Sequence, residues 1–167
     1  MRRWILSAFL TLAVASPALA QQKPQPGQAT GRPSVLAKSS PLAKITFSEP
    51  PYVLDDDGTF AGTMERIGKE VSRPCGAVEN YAWEFRETDA GKQQQHAMAV
   101  YEATMKALEQ AGYKVAEKRV RAIPDPETLV FTADRKDTMI TLLWSPVKDA
   151  AILLICDSSA GAKPGKK

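Results

Sequence analysis

A long amphipathic segment followed by four short apolar segments constrains the fold of this chain more than any other feature. The apolar residues that recur at steps of three and four are Met98, Tyr101, Met105 and Leu108. That spacing predicts a helix over about 90–111 with these residues facing a core, and Thr88 or Asp89 is placed to cap its start. Gly112 is placed to end it in a left-handed conformation, with Tyr113 packing back on Leu108.

The four apolar segments that follow the helix predict consecutive strands. They lie at 113–120, 129–131, 139–144 and 151–156. Short polar turns between consecutive strands favour an antiparallel meander, with the long helix packed on one face. The last segment is continuously apolar, so we expect it near the centre of the sheet with both faces covered.

The residues before the helix complete the predicted fold. A strand is expected over 44–52, a turn over 55–58, and a short helix capped by Thr63 and stopped by Arg73-Pro74. Tyr81, Trp83 and Phe85 alternate with smaller or polar residues, as in a half-buried strand. The predicted class is α+β: a mainly meander antiparallel sheet of about five or six strands, one long helix on a face and a second short helix.

The amino terminus has the pattern of a cleavable signal peptide over residues 1–20. Arg2 and Arg3 precede an apolar run, and Ala18-Leu19-Ala20 matches an A-x-A cleavage site. The run is too short to span a membrane comfortably, so no transmembrane anchor is expected after cleavage. This layout predicts a periplasmic or secreted protein, released after Ala20.

Composition divides the rest of the chain into three parts. Residues 21–42 are rich in proline and glutamine and lack aromatic side chains, which predicts a disordered tether. Residues 43–157 form the predicted single α+β domain, and residues 158–167 a flexible basic tail. The chain has 22 basic and 19 acidic residues, and two of the basic ones, Arg2 and Arg3, belong to the predicted signal peptide. The mature chain is therefore nearly neutral, which gives no electrostatic case for nucleic acid.

Cys75 and Cys156 are the two cysteines of the chain. An even count in an oxidising compartment favours one disulfide, which on the chain-entropy model stabilises the fold by roughly 4–5 kcal/mol. No C-x-x-C motif is present, and two cysteines with the lone His96 provide few zinc ligands. A reactive thiol or a metal site is the alternative to the disulfide.

Two sequence features resemble known sites only in part, and a third is a lone histidine. Ser145-Pro-Val-Lys148 has the S-x-x-K spacing of penicillin-binding proteins, but the S-D-N and K-T-G motifs that accompany it there are missing. The run Asp55-Asp56-Asp57-Gly58 resembles part of a calcium loop, yet an EF-hand alignment places Val53 and Met64 at its first and last ligand positions. A single histidine, His96, is expected at the surface or boundary of the long helix.

The stretch from Glu49 to Gly62 resembles the opening of the polar-amino-acid solute-binding proteins. It carries the sequence Glu49-Pro-Pro-Tyr-Val-Leu-Asp-Asp-Asp-Gly-Thr-Phe-Ala-Gly62 before a short helix. The resemblance implies that Tyr52 contacts a ligand. It covers about 30 residues of a fold that needs two α/β lobes, and nothing after Cys75 follows the pattern.

These observations predict a small non-catalytic binding or accessory protein of the bacterial cell envelope, with a protein or envelope component as its partner. The candidate contact residues are Tyr52, Trp83 and Trp144, and no catalytic residue, metal ligand or cofactor is assigned. Two alternatives stay open. One is a small-molecule carrier with its pocket between helix and sheet, and the other is a hydrolase using carboxylates such as Glu49, Asp55 or Glu84.

The disulfide gives the first testable prediction. Because oxidation should link the two cysteines of the exported protein, mass spectrometry of its non-reduced proteolytic fragments should find Cys75 joined to Cys156. Recovery of two free thiols from the exported protein would contradict this pairing.

Overall fold

The computed structural model describes residues 35–159, which form nine strands and two helices. The strands are β1 (Val35–Leu36), β2 (Ser39–Ser40), β3 (Ile45–Thr46), β4 (Tyr52–Val53), β5 (Val78–Glu84), β6 (Lys114–Lys118), β7 (Leu129–Arg135), β8 (Thr138–Val147) and β9 (Ala150–Asp157). The helices are α1 (Thr59–Glu70) and α2 (Ala90–Gln110). The predicted signal peptide, residues 21–34 of the predicted tether and residues 160–167 lie outside the described residues.

Seven of these strands form one antiparallel sheet in the order β1-β4-β5-β9-β8-β7-β6, and β2 and β3 form a separate two-stranded sheet. The predicted α+β class and the meander of the last four strands are confirmed. The continuously apolar β9 lies at the centre, paired with β5 on one side and β8 on the other. The sheet has more strands than predicted, because two-residue strands such as β1 and β4 are too short to show an alternating pattern.

Each face of the sheet is covered by a helix. On one face, α2 and the β2–β3 hairpin enclose a core that includes Trp83, Leu108, Leu142, Trp144 and Leu153. On the other face, α1 contributes Met64 and Ile67, which pack with Val130, Leu143 and Leu154. Alternate residues of β9 therefore serve opposite cores, which explains why this strand has no polar side.

Local signals in the sequence set both ends of α2. The Asp89 side chain accepts a hydrogen bond of 2.9 Å from the Lys92 backbone N–H at the start. At the end Gly112 has a φ of 88°, and the Tyr113 N–H donates to the Leu108 carbonyl as in a Schellman motif. Both predicted ends are confirmed.

The predicted buried stripe of α2 is wrong at Met98. The buried side chains of the helix are Val100, Thr104 and Leu108, whereas Met98 is 50% exposed. Steps of four residues from Leu108 lead to Val100, and Met98 lies two residues away on a different side of the helix. Hydrophobicity alone does not distinguish these two sides.

Helix α1 begins at Thr59, four residues before the predicted cap at Thr63. The carboxylate of Asp56 accepts hydrogen bonds from the backbone N–H groups of Gly58, Phe60 and Ala61. The acidic run thus satisfies the free N–H groups of a helix start, a role that any Asp before a helix can take. Within residues 35–159, neither helix is both long and apolar enough to cross a membrane.

The disulfide between Cys75 and Cys156 is confirmed, with 5.7 Å between the two Cα atoms. Cys75 lies between α1 and β5, and Cys156 lies near the end of β9. Hydrogen bonds from Gly76 N–H to the Asp157 carbonyl and from Asp157 N–H to the Ala77 carbonyl extend the same junction. The bridge therefore fixes the segment after α1 to the central strand.

The folded unit extends beyond the predicted limits of 43–157. Residues 35–42 belong to the predicted tether, but they include β1 and β2, and Ser40 is buried and hydrogen-bonded to Glu79. Ser158 is the first residue of the predicted tail, yet it is buried, and its N–H donates to the Met139 carbonyl. Backbone pairing orders these residues although their side chains carry no strong pattern.

Two glycine substitutions should shift stability in opposite directions. Gly112→Ala should lower the free energy of unfolding by about 1 kcal/mol, because an alanine side chain disfavours the positive φ that ends α2. Gly62→Ala should raise it by about 0.5–1 kcal/mol, because Gly62 lies within α1 and no atom lies within 4 Å of the added methyl position. Urea denaturation measures both, and equal effects of the two changes would contradict the assignment of Gly112 as the helix stop.

Candidate functional site

A groove lies between the first half of α2 and the ends of β8 and β9. Its volume is about 530 Å³, and its apolar lining includes Phe85, Met98, Tyr101, Leu129, Trp144 and Pro146. Polar side chains at the groove are Gln93, Gln94, Glu127 and Lys148. We call this feature the Trp144 groove.

The floor of the Trp144 groove is a cluster of mutually tilted aromatic rings from the sheet and α2. The Trp144 ring centroid lies 5.6 Å from that of Tyr101 on α2 and 5.6 Å from that of Trp83 on β5. Trp83 is in turn fixed by a 2.9 Å hydrogen bond from its indole N–H to the Glu49 carbonyl. Rings packed in this way have few alternative rotamers, so the floor is preorganised.

Met98 gives the groove an exposed apolar wall. It is one of three large apolar side chains that are largely exposed among residues 35–159, the others being Val35 and Leu36. A thioether side chain is flexible and polarisable, and it adapts to ligands of different shape. Met98 therefore adds exposed apolar surface next to the aromatic floor.

The other flank of α2 carries a cluster of one histidine and two glutamates. The His96 Nε2 lies 2.7 Å from a carboxylate oxygen of Glu49, and the Nδ1 lies 2.8 Å from a carboxylate oxygen of Glu87. Ionised carboxylates only accept hydrogen bonds, so both contacts are hydrogen bonds only when both ring nitrogens carry protons. The geometry therefore selects the charged imidazolium.

The two glutamates raise the pKa of His96 above its ordinary value. The hydrogen bond with Glu49 is the largest cause, partial burial opposes it, and the hydrogen bond with Glu87 adds to it. The pKa of Glu87 is held below its ordinary value, first by its own backbone N–H and then by His96. The second carboxylate oxygen of Glu87 is buried without a hydrogen-bond partner in the described part of the chain.

The structure separates the three predicted contact residues. Trp144, which is 4% exposed, lines the groove, while Trp83 lies beneath it and is 2% exposed. Tyr52 lies on β4, opposite Ala82 of β5 and Leu36 of β1, and it does not line the groove. Of the three, Trp144 is placed to touch a ligand, and Trp83 supports it.

The other sequence candidates do not converge. Glu49 belongs to the His96 cluster, Asp55 is exposed, and Glu84 lies 3.8 Å from Arg86. The Ser145 hydroxyl is hydrogen-bonded to Thr128, and Lys148 lies in the turn between β8 and β9. Over residues 35–159, no group of three His, Cys, Asp or Glu side chains is arranged to hold a metal ion.

A second, smaller depression of about 300 Å³ lies beside the loop that follows β6. Its lining includes Lys118, Arg119, Ile123 and Pro126. The Glu70 carboxylate of α1 accepts hydrogen bonds from the backbone of Arg121 and Ala122, which fixes this loop to the helix. These contacts indicate that the loop has a structural role, connecting β6 to β7 and holding the connection against α1.

Comparison with known proteins provides no assignment for this site. No protein-family model, curated protein or solved structure matches the chain significantly. The site must therefore be interpreted from its own geometry.

The sequence does not reveal the partners of His96 or the exposure of Met98. Glu87 precedes His96 by nine residues across a helix start, and Glu49 precedes it by 47 residues. The only local signal is the Glu87 carboxylate just before the Asp89 cap, which brings an acid near the first turns of α2. The contact with Glu49 depends on how α2 packs against the connection between β3 and β4.

NMR can follow the protonation of His96 without overlap from other histidine signals, because His96 is the only histidine in the chain. Its titration should give a pKa above 6.5, since both glutamates favour the charged ring. A raised pKa in the folded state means that the contribution of His96 to stability is complete below the unfolded pKa. That contribution is lost as the pH rises through the folded pKa.

Glu49→Gln should lower the pKa of His96, because it removes the largest favourable interaction. Glu109→Gln is the matched control, since it removes the same charge from an exposed position in the last turn of α2. A pKa at or below 6.5 in the unmodified protein, or an equal shift in both variants, would contradict the described geometry.

Proposed function

We propose that the protein is an exported, non-catalytic binding protein of the bacterial cell envelope. In this proposal the Trp144 groove holds an apolar or aromatic side chain of an extended peptide segment presented by an envelope partner. The observation that carries the proposal is the exposed Met98 beside the aromatic pair Tyr101 and Trp144.

The size and lining of the groove support a binding role. Its volume of about 530 Å³ lies within the range of about 300–1,000 Å³ that is typical of ligand sites. An aromatic floor contributes a large contact area at a low entropy cost. The exposed Gln94 side chain supplies an amide donor and acceptor that complement a peptide backbone.

The shape of the groove favours a partner over a carried small molecule. A carrier encloses most of its ligand surface, whereas the Trp144 groove is partly open to solvent. An open groove accommodates one side chain while the rest of the partner stays outside. A small-molecule carrier is accordingly the second candidate.

The surroundings of His96 favour binding over catalysis. A catalytic histidine directs one ring nitrogen at a nucleophile or a substrate and uses the other for orientation. Both nitrogens of His96 face carboxylates instead. Both cysteines are linked in the disulfide, so neither is a nucleophile.

The cellular address in this proposal depends on the predicted signal peptide over residues 1–20. The Cys75–Cys156 bridge is consistent with it, because disulfides form and persist mainly in oxidising compartments such as the periplasm.

Binding of short fluorescently labelled peptides tests the proposal. Peptides with an aromatic or aliphatic residue among polar ones should bind the protein, with saturable fluorescence anisotropy and NMR shifts at the Trp144 and Tyr101 rings. Met98→Asp should weaken that binding about tenfold or more, because a ligand would bury an unpaired charge.

Ala99→Asp is the matched control, since it adds the same charge one residue away at an exposed position of α2. It should bind the peptides like the unmodified protein. The proposal fails if no peptide binds, or if both aspartate variants bind equally well. Binding of neutral apolar small molecules without any peptide binding would favour the carrier.

A further inference from the structure

The His96 cluster joins three separate segments of the fold. His96 lies on α2, Glu87 lies in the connection between β5 and α2, and Glu49 lies between β3 and β4. The Gln93 side chain, one turn before His96, donates a hydrogen bond to the Glu87 carbonyl and strengthens the same junction. These contacts anchor the first half of α2 to the sheet side of the molecule.

The same half of α2 forms one wall of the Trp144 groove. Gln93 and Ala97 on the helix line the groove, and Phe85 lines it from the end of β5. The Phe85 ring also lies 4.8 Å from the His96 ring, between centroids. Because His96 and Met98 are two residues apart, they lie on different sides of the helix. The cluster therefore holds one flank of α2, and the groove uses the other.

We propose that His96 is a proton-controlled latch that holds the first half of α2 against the sheet, so that the Trp144 groove binds apolar groups more tightly when the ring is charged. This regulation rests on the proposed binding role of the groove.

Loss of one proton to solvent changes both contacts of the ring. The neutral imidazole keeps one N–H and presents a lone pair at its other nitrogen. That lone pair then faces an ionised carboxylate, so one of the two hydrogen bonds is replaced by repulsion. Glu87 already has one buried oxygen without a hydrogen-bond partner in residues 35–159, and it loses its counter-charge as well. One of the two hydrogen bonds that tie His96 to the neighbouring segments is thereby lost.

The surroundings of the ring identify which charges act on it. Glu49 and Glu87 face its two nitrogens, and the uncharged Phe85 packs on its face. On α2 itself, Lys92 precedes His96 by one turn and is exposed, while Val100 follows by one turn and is buried and uncharged. The two glutamates are the charged groups that shift the pKa of the ring. The pH response of the latch is therefore assigned to His96 and its two carboxylate partners.

The test compares the two charge states of His96 in one protein. NMR first locates the titration of the single histidine, and binding is then measured about one pH unit below and about one unit above that midpoint. The probe is Nile red, a neutral dye whose own charge does not change. Its affinity should be about fivefold higher on the acidic side, the low end of usual coupling between sites.

Two variants distinguish the latch from a general effect of pH. His96→Gln removes the titrating group and should bind Nile red with the weaker affinity at both pH values. Glu109→Gln changes the charge of α2 away from the cluster and should keep the pH dependence. The protection factors of the backbone amides of residues 93–98, which correct for the base catalysis of intrinsic exchange, should fall on the alkaline side in the unmodified protein and in Glu109→Gln, but not in His96→Gln.

Each outcome bears on one proposal. Equal affinity at both pH values, with His96 shown by NMR to titrate, overturns the latch and leaves the binding groove intact. If Nile red binds at neither pH, the apolar binding groove is contradicted. The protection factors of residues 93–98 then still decide whether the latch exists. If His96→Gln retains the pH dependence, a group other than His96 is responsible, and the latch is overturned.

Discussion

The fold depends on burying both faces of its central strand. Every second residue of β9, such as Leu153 and Ile155, belongs to the core under α2, and the alternate residues Leu154 and Cys156 belong to the core under α1. A strand of this kind is stable only if both faces are covered, since exposing its apolar residues costs roughly 25 cal/mol per Å². In this chain the neighbouring strands pair with the edges of β9, and the two helices cover its two faces. The disulfide then fixes the strand to the segment after α1, next to the residues that α1 buries.

Structural features that are set by neighbouring residues are easier to predict from the sequence than features that are set by distant ones. The ends of α2 are predictable, because Asp89 and Gly112 act through backbone groups a few residues away. The central position of β9 is predictable from its continuous apolar character. The strands β1 and β4 are not, because two residues pair through the backbone and their side chains carry no alternating pattern. The predicted start of α1 is wrong for a related reason, since Asp and Thr can both bond to the free N–H groups of a helix start. Only the structure shows that Asp56 does so, whereas Thr63 lies inside the helix.

The candidate site is less predictable than the fold, because it depends on packing. The sequence predicts both Trp83 and Trp144 as contacts, but aromatic residues on alternating strand positions serve the core first, as Trp83 does. The difference between the two lies in the position of each residue along the sheet relative to α2. Met98 has the spacing of a core residue and is exposed because the buried stripe of α2 runs through Val100 and Leu108. Such a rotation of a helix about its axis is set by the whole interface, and no short sequence window contains it.

The energetics of the His96 cluster favour a role in positioning over one in global stability. Partly exposed ion pairs contribute only about 0–1 kcal/mol to folding, and the side chains of His96, Glu49 and Glu87 are 30%, 42% and 33% exposed. The same free energy is large for a local equilibrium, because ~1.4 kcal/mol changes an equilibrium constant tenfold. The remainder of α2 is held by Val100, Thr104 and Leu108, which lie in its second half and do not depend on the ring. A weak charged contact at one end of a well-anchored helix can therefore alter the orientation of that end without unfolding the rest. The cluster therefore contacts the half of α2 that forms the wall of the groove.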